Sequence, residues 1–352
     1  MLTVAGAVRL SRLYLRCSTC RVGGFPLDEH LGVQGMLSRR AQRLLCLAGA
    51  SWSFDRASEH LQELCGLQVS DTTIREVCQQ HGAAGRRWQQ DDATASRAFR
   101  EAPGETEFST DGTSVNTTAG WREMRVGVFA KRERGQPLRL PQWRERNLPK
   151  PTARVAHAGL VRSAAWGGQW RRWAARLGIQ QTAELTVLAD GARWIWKQAA
   201  KQFPDAQGVL DIYHVSAHLH QTAAVLHGEG SEAARRWVEQ RRQCLLQGGA
   251  AALLDELAGE RRQTRSQRKR ASLLALADYV APHVDHTPYR ERLARGQTIG
   301  SGLVEGACKT VIGRRLKQTG ARWRVRRVER MANLCCLLYS DQWNTYWTAK
   351  AA

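Results

Sequence analysis

Leu185-Thr-Val-Leu-Ala-Asp190-Gly-Ala192 is a short apolar run that ends on a carboxylate and then turns at glycine. Its length and boundaries predict a buried strand with one acid at its carboxyl end. Upstream, Glu105-Thr-Glu-Phe-Ser-Thr-Asp111-Gly-Thr113 repeats the arrangement, with Glu107–Thr113 read as strand. A third acid, Glu305, lies early in a predicted helix, in Gly300-Ser-Gly-Leu-Val-Glu305-Gly-Ala-Cys-Lys309. Carboxylates delivered from two strand ends and one helix can meet at one point and hold a pair of divalent cations. Such a pair clamps the attacking and leaving oxygens of a phosphodiester during in-line displacement. Each acid also has a plainer reading: Asp190 as a cap for the helix 192–203, Asp111 as a turn residue, Glu305 as an exposed helix position. The combination and its order favour the shared site.

Working outward, the period changes along the chain. Arg40–Gly49, Phe54–Cys65 and Asp71–His81 carry helical spacing, with Ser53 and Ser70 as caps and Gly66 and Gly82 as stops. The second and third of these, joined by Gly66-Leu-Gln-Val-Ser70, match the size of a helix-turn-helix, which would turn Thr72, Thr73, Arg75 and Gln79 toward DNA; a plain helical hairpin is the alternative. Residues 83–104 are polar and read as a connector. Arg122–Phe129 alternates as a strand, 144–154 reads as a basic loop, and Val155–His157 as a short third strand. A helix over 158–177, the strand Leu185–Ala189, the helix 192–203 and the strand Gly208–Tyr213 follow. The order is three strands, helix, strand, helix, strand. From His214 to Arg295 the pattern is helical throughout, and Ser301–Lys317 and Arg324–Tyr339 predict two closing helices.

Charge points the same way. The chain of 352 residues carries a net charge of +21. Residues 121–176 hold 14 Lys/Arg against 3 Asp/Glu, and residues 260–330 hold 18 against 6. The rest is close to neutral, so the excess is confined to two stretches, as on a surface facing a polyanion. Nucleic acid fits better than an acidic membrane, because no basic amphipathic helix with a large aromatic face stands out. No apolar run approaches the roughly 18–20 residues of a bilayer span. Met1–Arg16 has three arginines and no acid, but the partial alternation of Val8–Tyr14 reads as an edge strand rather than a targeting segment.

Nine cysteines, two of them adjacent at Cys335-Cys336, do not form a secreted disulfide pattern and suit a reducing compartment. Cys17-Ser-Thr-Cys20 has the spacing of half a zinc ribbon, with no second such pair to complete it.

Taken together these residues resemble a DDE transposase of bacterial insertion sequences, in the ISKra-type group related to mutator-like transposases. The resemblance runs through Tyr14–Cys20, Phe25–Gly32, Ser53–Ala57, Val69–Ile74, Thr110–Thr113, Leu188–Trp196, Leu210–His214, Gly300–Glu305 and Gly320–Trp323. It implies an α/β fold: an RNase H-like catalytic core with a helical insertion, preceded by a mainly α-helical, helix-turn-helix-like N-terminal domain. The expected divisions are 1–38 for the first strand and Cys-x-x-Cys segment and 39–100 for the DNA-binding helices. The first part of the core is expected at 101–213, the insertion at 214–298, the closing core helices at 299–340, and a tail at 341–352. It further implies Asp111, Asp190 and Glu305 as catalytic ligands of Mg²⁺, for which Mn²⁺ can substitute, with Cys17 and Cys20 as candidates for Zn²⁺. Asp211-x-x-His214 resembles a signature lying beside the site in mutator-like relatives and is carried as accessory.

The implied reaction is cleavage of the element's ends followed by direct attack of the freed 3′-hydroxyl on target DNA. Lys309, Arg314, Arg315, Lys317, Arg322 and Arg324 would hold phosphates, and Trp323, with Trp194 and Trp196, would stack on bases or pack internally. Partners would be double-stranded DNA, both terminal inverted repeats and target, and further copies of the chain, with no membrane, in the cytoplasm at the nucleoid. Members of that group are generally longer at the front, which leaves open whether this start is truncated. Two rivals stand: an RNase H-like nuclease that cuts without joining, and a non-enzymatic DNA-binding derivative.

Overall fold

The computed structural model describes residues 1–33, 35–179 and 182–350. Its first 24 residues form two small two-stranded pairings, Leu2–Thr3 with Gly6–Ala7 and Leu15–Arg16 with Gly23–Gly24. The edge strand expected over Val8–Tyr14 is absent: Val8 bonds back to Met1, and residues 9–14 carry no strand before the second pairing. After a short helix at Pro26–Leu31 come four more: α1 (Arg39–Ser51), α2 (Phe54–Cys65), α3 (Asp71–Asp91) and α4 (Thr94–Glu101). The Ser38 and Ser70 side chains accept the amides of Ala41 and Thr73, which fixes the starts of α1 and α3. The polar connector expected at 83–104 is mostly helix. Gly82 does not stop α3, because it is the point at which α3 crosses another helix.

A five-stranded mixed sheet forms the centre, with β1 (Glu105–Thr117), β2 (Gly120–Arg132), β3 (Ala153–Gly159), β4 (Leu185–Ala189) and β5 (Gln207–Leu210). Its order is β3-β2-β1-β4-β5. β1, β2 and β3 are antiparallel in sequence, while β4 lies parallel to β1 and β5 parallel to β4. β1 and β2 are longer than the alternation suggested, since their polar distal ends pair as a hairpin with little to bury.

Side chains of alternate parity cover the two faces. On one face Phe108, Phe129, Val155, Leu185 and Val187 pack against α5 (Ser163–Arg176) and α6 (Arg193–Gln202), through Trp166, Trp170, Trp173 and Ile195. Trp166 is tied down by its indole N–H, 3.0 Å from Thr110 Oγ1. On the other face Leu188 and Val209 meet the helical segment of α7 (Ile212–His227), α8 (Glu232–Gln263), α9 (Gln267–Val280) and α10 (Tyr289–Ala294). α8 bends at Gly249, whose φ of 68° is left-handed.

Beside that segment, Val115, Met124, Val126 and Val128 share a core with α1–α3 and with the closing helices α11 (Gly302–Ala307), α12 (Val325–Tyr339) and α13 (Trp343–Ala349). The helices expected as a separate DNA-binding unit at 39–100 therefore pack into the same core as the sheet. The expected helix 301–317 is interrupted: α11 is followed by a π-helical turn over Cys308–Gly313. The expected tail also departs from the reading, since Trp343, Tyr346 and Trp347 of α13 are buried; Ala351 and Ala352 lie outside the described residues. No helix among the described residues is long and apolar enough to cross a membrane.

α3 and α12 cross closely because glycine permits it. A Cβ at Gly82 would lie 2.0 Å from the Arg330 carbonyl oxygen, whereas one at Gly85 would meet only the end of Leu337. Arg86 locks the crossing, donating to the Ala158 carbonyl at 2.9 Å and to Asn333 Oδ1 at 3.2 Å. Gly82→Ala is expected to destabilise the fold by about 1–3 kcal/mol in urea unfolding, the range for forced overpacking. Gly85→Ala should cost less, because Leu337 can rotate away; equal losses would contradict this account of the crossing.

Candidate active site

Strand register assembles the site. Ser109 of β1 stands opposite Leu188 of β4, and Leu188 opposite Val209 of β5. Two residues further along each strand come Asp111, Asp190 and Asp211. The three aspartates thus form a row across three parallel strands about 4.8 Å apart; Asp190 and Asp211 directly follow β4 and β5, whereas Asp111, expected at a strand end, stands midway along β1, which runs on to Thr117. They share a face, because side-chain direction repeats every second residue. α11 packs over β1 and β2 on that side and carries Glu305, which completes the cluster.

The carboxylates differ in what they already hold. Asp211 is fully buried and caps α7: Oδ1 accepts the amides of Tyr213 at 2.6 Å and His214 at 3.1 Å. Its Oδ2 accepts both the amide and, at 2.6 Å, the hydroxyl of Ser301. Four donors leave it little capacity for a cation. Asp190 Oδ1 takes the Ala192 amide at 3.0 Å, and Asp111 Oδ1 the Gly112 amide at 2.6 Å. Among the described residues no donor reaches Asp190 Oδ2, and only the weak thiol donor of Cys308, at 3.9 Å, reaches Asp111 Oδ2. Among the described residues no hydrogen-bond donor is seated on Glu305; His214 Nδ1 stands 3.9 Å from its Oε1. Asp211, His214 and Glu305 offer ligand atoms within 4.8 Å of one another. That tighter trio is held together by an imidazole rather than by vacant oxygens. Vacant oxygens belong to Asp111, Asp190 and Glu305.

Electrostatics follow from this crowding. Burial raises Asp111 above the usual carboxylate range, and the charges of Asp190 and Glu305 add to the rise. Burial would also raise Asp211, but the bonds from His214 and Ser301 outweigh it and hold that carboxyl below its ordinary value. His214 is raised to about 9 by its contact with Asp211, helped by the charges of Asp190 and Glu305. It places a positive charge against Asp211 and Glu305. Cys308, pushed up to about 12 by burial and by the charge of Asp111, stays a thiol.

The other expected site residues divide by exposure. Lys317 reaches the Thr113 hydroxyl, two residues beyond Asp111 on the same strand face. Lys309, Arg314 and Arg322 are exposed, and Arg75 is half-buried. Gln79 does not face solvent: it is buried, and its amide donates to the Arg327 carbonyl at 3.0 Å. Arg315 is buried too, donating from Nε to the Gly49 carbonyl at 2.6 Å. Trp323 is buried with its N–H on the Leu316 carbonyl, and Trp196 donates to the Asp190 carbonyl at 2.6 Å, so both tryptophans serve packing. Cys17 and Cys20 occupy an exposed turn, the Cys20 amide 3.5 Å from Cys17 Sγ. No third Cys, His, Asp or Glu joins them within ligand distance among the described residues.

Sequence reasoning missed Ser301 and Cys308. Cys308 stands three residues after Glu305, on the same helical face, which was the available signal. Ser301 had none, because its partner Asp211 is 90 residues away. Compared with known proteins, the chain matches no protein-family model and no curated sequence.

Two outcomes follow for the metal-free protein. Asp111 has a folded pKa above its unfolded value, so its stabilising contribution is full only below about pH 3.9 and is lost as pH rises through the folded value. Asp111→Asn should therefore raise the thermal unfolding midpoint at neutral pH; a lowered midpoint would contradict like-charge crowding. His214 contributes fully below about pH 6.5, and that contribution is lost as pH rises through about 9. His214→Gln should flatten the fall in stability across that window in scans at stepped pH.

Proposed function

We propose that this chain is a DNA transposase with an RNase H-like core, in which Asp111, Asp190 and Glu305 hold paired Mg²⁺. The observation that carries the reading is chemical. Three carboxylates with unfilled oxygens face one another on one side of a sheet, with the positive charge of His214 against Glu305. Oxygen-only donors suit Mg²⁺ or Mn²⁺, which complete their shells with water and substrate phosphate. The strand order, with β4 and β5 parallel to β1, supports the RNase H-like assignment. When bound, such a metal pair polarises the phosphodiester and eases deprotonation of the attacking water or 3′-hydroxyl.

The protein's own part is positioning. Asp211 joins the start of α7 to Ser301 and so holds α11, with Glu305, against the strand ends. His214 keeps its proton between Asp211 and Glu305 and limits their repulsion until cations arrive. Lys317, against Thr113, supplies a positive charge beside the site for a substrate phosphate. End cleavage and strand transfer use the same carboxylates in turn, and bringing two element ends together calls for a dimer or larger assembly acting at the nucleoid.

The test is Asp190→Asn, with cleavage of DNA carrying the element's ends measured in Mg²⁺ and Mn²⁺ and metal binding measured by calorimetry. Cleavage should fall by at least the roughly 10–100-fold that loss of an outer-shell partner costs, with weakened metal binding and an intact fold. Cleavage that survives the change overturns the reading. Hydrolysis without any joined product would reassign the chain to a nuclease.

A further inference from the structure

A second basic feature lies apart from the carboxylates. The segment after the π-helical turn, residues 317–324, crosses the mouth of the β1–β2 hairpin: the Trp323 amide donates to the Asn116 carbonyl at 3.1 Å and the Thr118 amide to the Trp323 carbonyl at 2.7 Å. Between this strap and the first turns of α2 and α3 lies an open groove of about 920 Å³. Arg56, Arg75, Arg315, Arg322, Arg324 and Arg327 line it, against only Asp55 and Asp71.

Its floor is built rather than incidental. Arg315 is 3% exposed, with its guanidinium 4.5 Å from the Phe54 ring centre and 5.0 Å from that of Trp323. Nε is used on the Gly49 carbonyl, but among the described residues Nη2 has no partner, and neither does Arg75 Nε. Leaving buried guanidinium N–H groups unpaired is costly, and the natural remedy is an anion with several acceptor oxygens. Two helix starts add to this. α2 and α3 both open on the groove with their positive ends, and Ser53 spends no side-chain bond on capping α2.

We infer that this groove is a seat for the phosphate backbone of duplex DNA, separate from the cleavage site and continuous with it. The inference rests on the reading of the chain as a DNA-processing enzyme and says where the substrate is gripped. Thr118, on the rim, lies just past the end of β1, seven residues from Asp111, or about 23 Å of extended strand. At 3.4 Å per nucleotide of one strand that is about seven steps. A duplex lying along β1, with its cleaved phosphate at Asp111, passes Lys317 beside Thr113 and brings its backbone into the groove. Guanidinium groups pair with phosphate oxygens through two parallel hydrogen bonds, which suits an arginine-lined seat. α3 then takes part through its first turn, not through the outward face expected of a recognition helix, which agrees with the burial of Gln79.

The experiment is fluorescence anisotropy with a labelled random-sequence DNA duplex in EDTA, across a salt series. Arg75→Ala combined with Arg322→Ala should weaken binding at least tenfold and flatten the log–log salt slope by about 0.9 per lost phosphate contact. Both side chains reach solvent, so the unfolding midpoint should stay in place. Unchanged affinity and slope in the double variant would overturn the assignment, as would a duplex RNA that displaces the DNA more effectively than unlabelled DNA. Asp190→Asn should bind like the unaltered protein, since no cleavage occurs in EDTA. Failure of the groove and failure of the catalytic reading are thereby told apart.

Discussion

One buried carboxylate holds the working end of this molecule together. Asp211 ends β5, caps α7 and accepts two hydrogen bonds from Ser301 at the entrance to α11. A strand, the helix α7 that follows it and the helix bearing Glu305 therefore meet on two oxygen atoms. The Ile212 amide, bonded to the Ile299 carbonyl, closes the same joint through the backbone. A buried carboxylate is tolerable only when its lone pairs are filled. Here that need forces distant segments into one geometry, and the metal-ligand candidates inherit their spacing from it.

The neighbouring acids show the opposite arrangement. Asp111, Asp190 and Glu305 keep oxygens free, crowd like charges and raise the ionisation cost of Asp111. Such an arrangement weakens the isolated fold and is relieved by cations, the balance expected where function competes with stability. His214 offsets part of the repulsion. The row of aspartates thus has two kinds of member, one spent on structure and two available for chemistry, and hydrogen-bond occupancy distinguishes them.

Basic residues also sort by occupancy. Arg86 and Arg292 are consumed inside, Arg292 on the Thr298 carbonyl at 2.7 Å. Arg315 is half consumed, with one nitrogen satisfied and another left over. Lys317, Arg322 and Arg324 remain on the surface. A formal surplus of charge therefore overstates the charge free to act at the surface, and what counts is which guanidinium groups retain unpaired donors toward an open face.

The strand run of Leu185–Ala189, the acid at its end and the helical stretch after His214 were legible in the sequence, because period and turn chemistry are local properties. So were Asp111 and Glu305 as candidates, since an acid before glycine and an acid within a basic helix are visible residue by residue. The extra length of β1 and β2 was not, because their polar ends are paired by each other and not by burial. Nor was the fate of Gln79 and Arg315, whose helices have second faces covered by α12 and α1, or of Trp323, which lies in the strap against the β1–β2 hairpin. Sequence by itself determined the central strands, most of the helices and the acids Asp190 and Asp211 that follow β4 and β5. Only the tertiary structure decided that Asp111, Asp190 and Asp211 stand side by side, and that Asp211 is already spent. Register and hydrogen-bond occupancy are set by contacts between distant segments, such as Asp111 with Cys308, 197 residues apart, and local pattern carries no record of them.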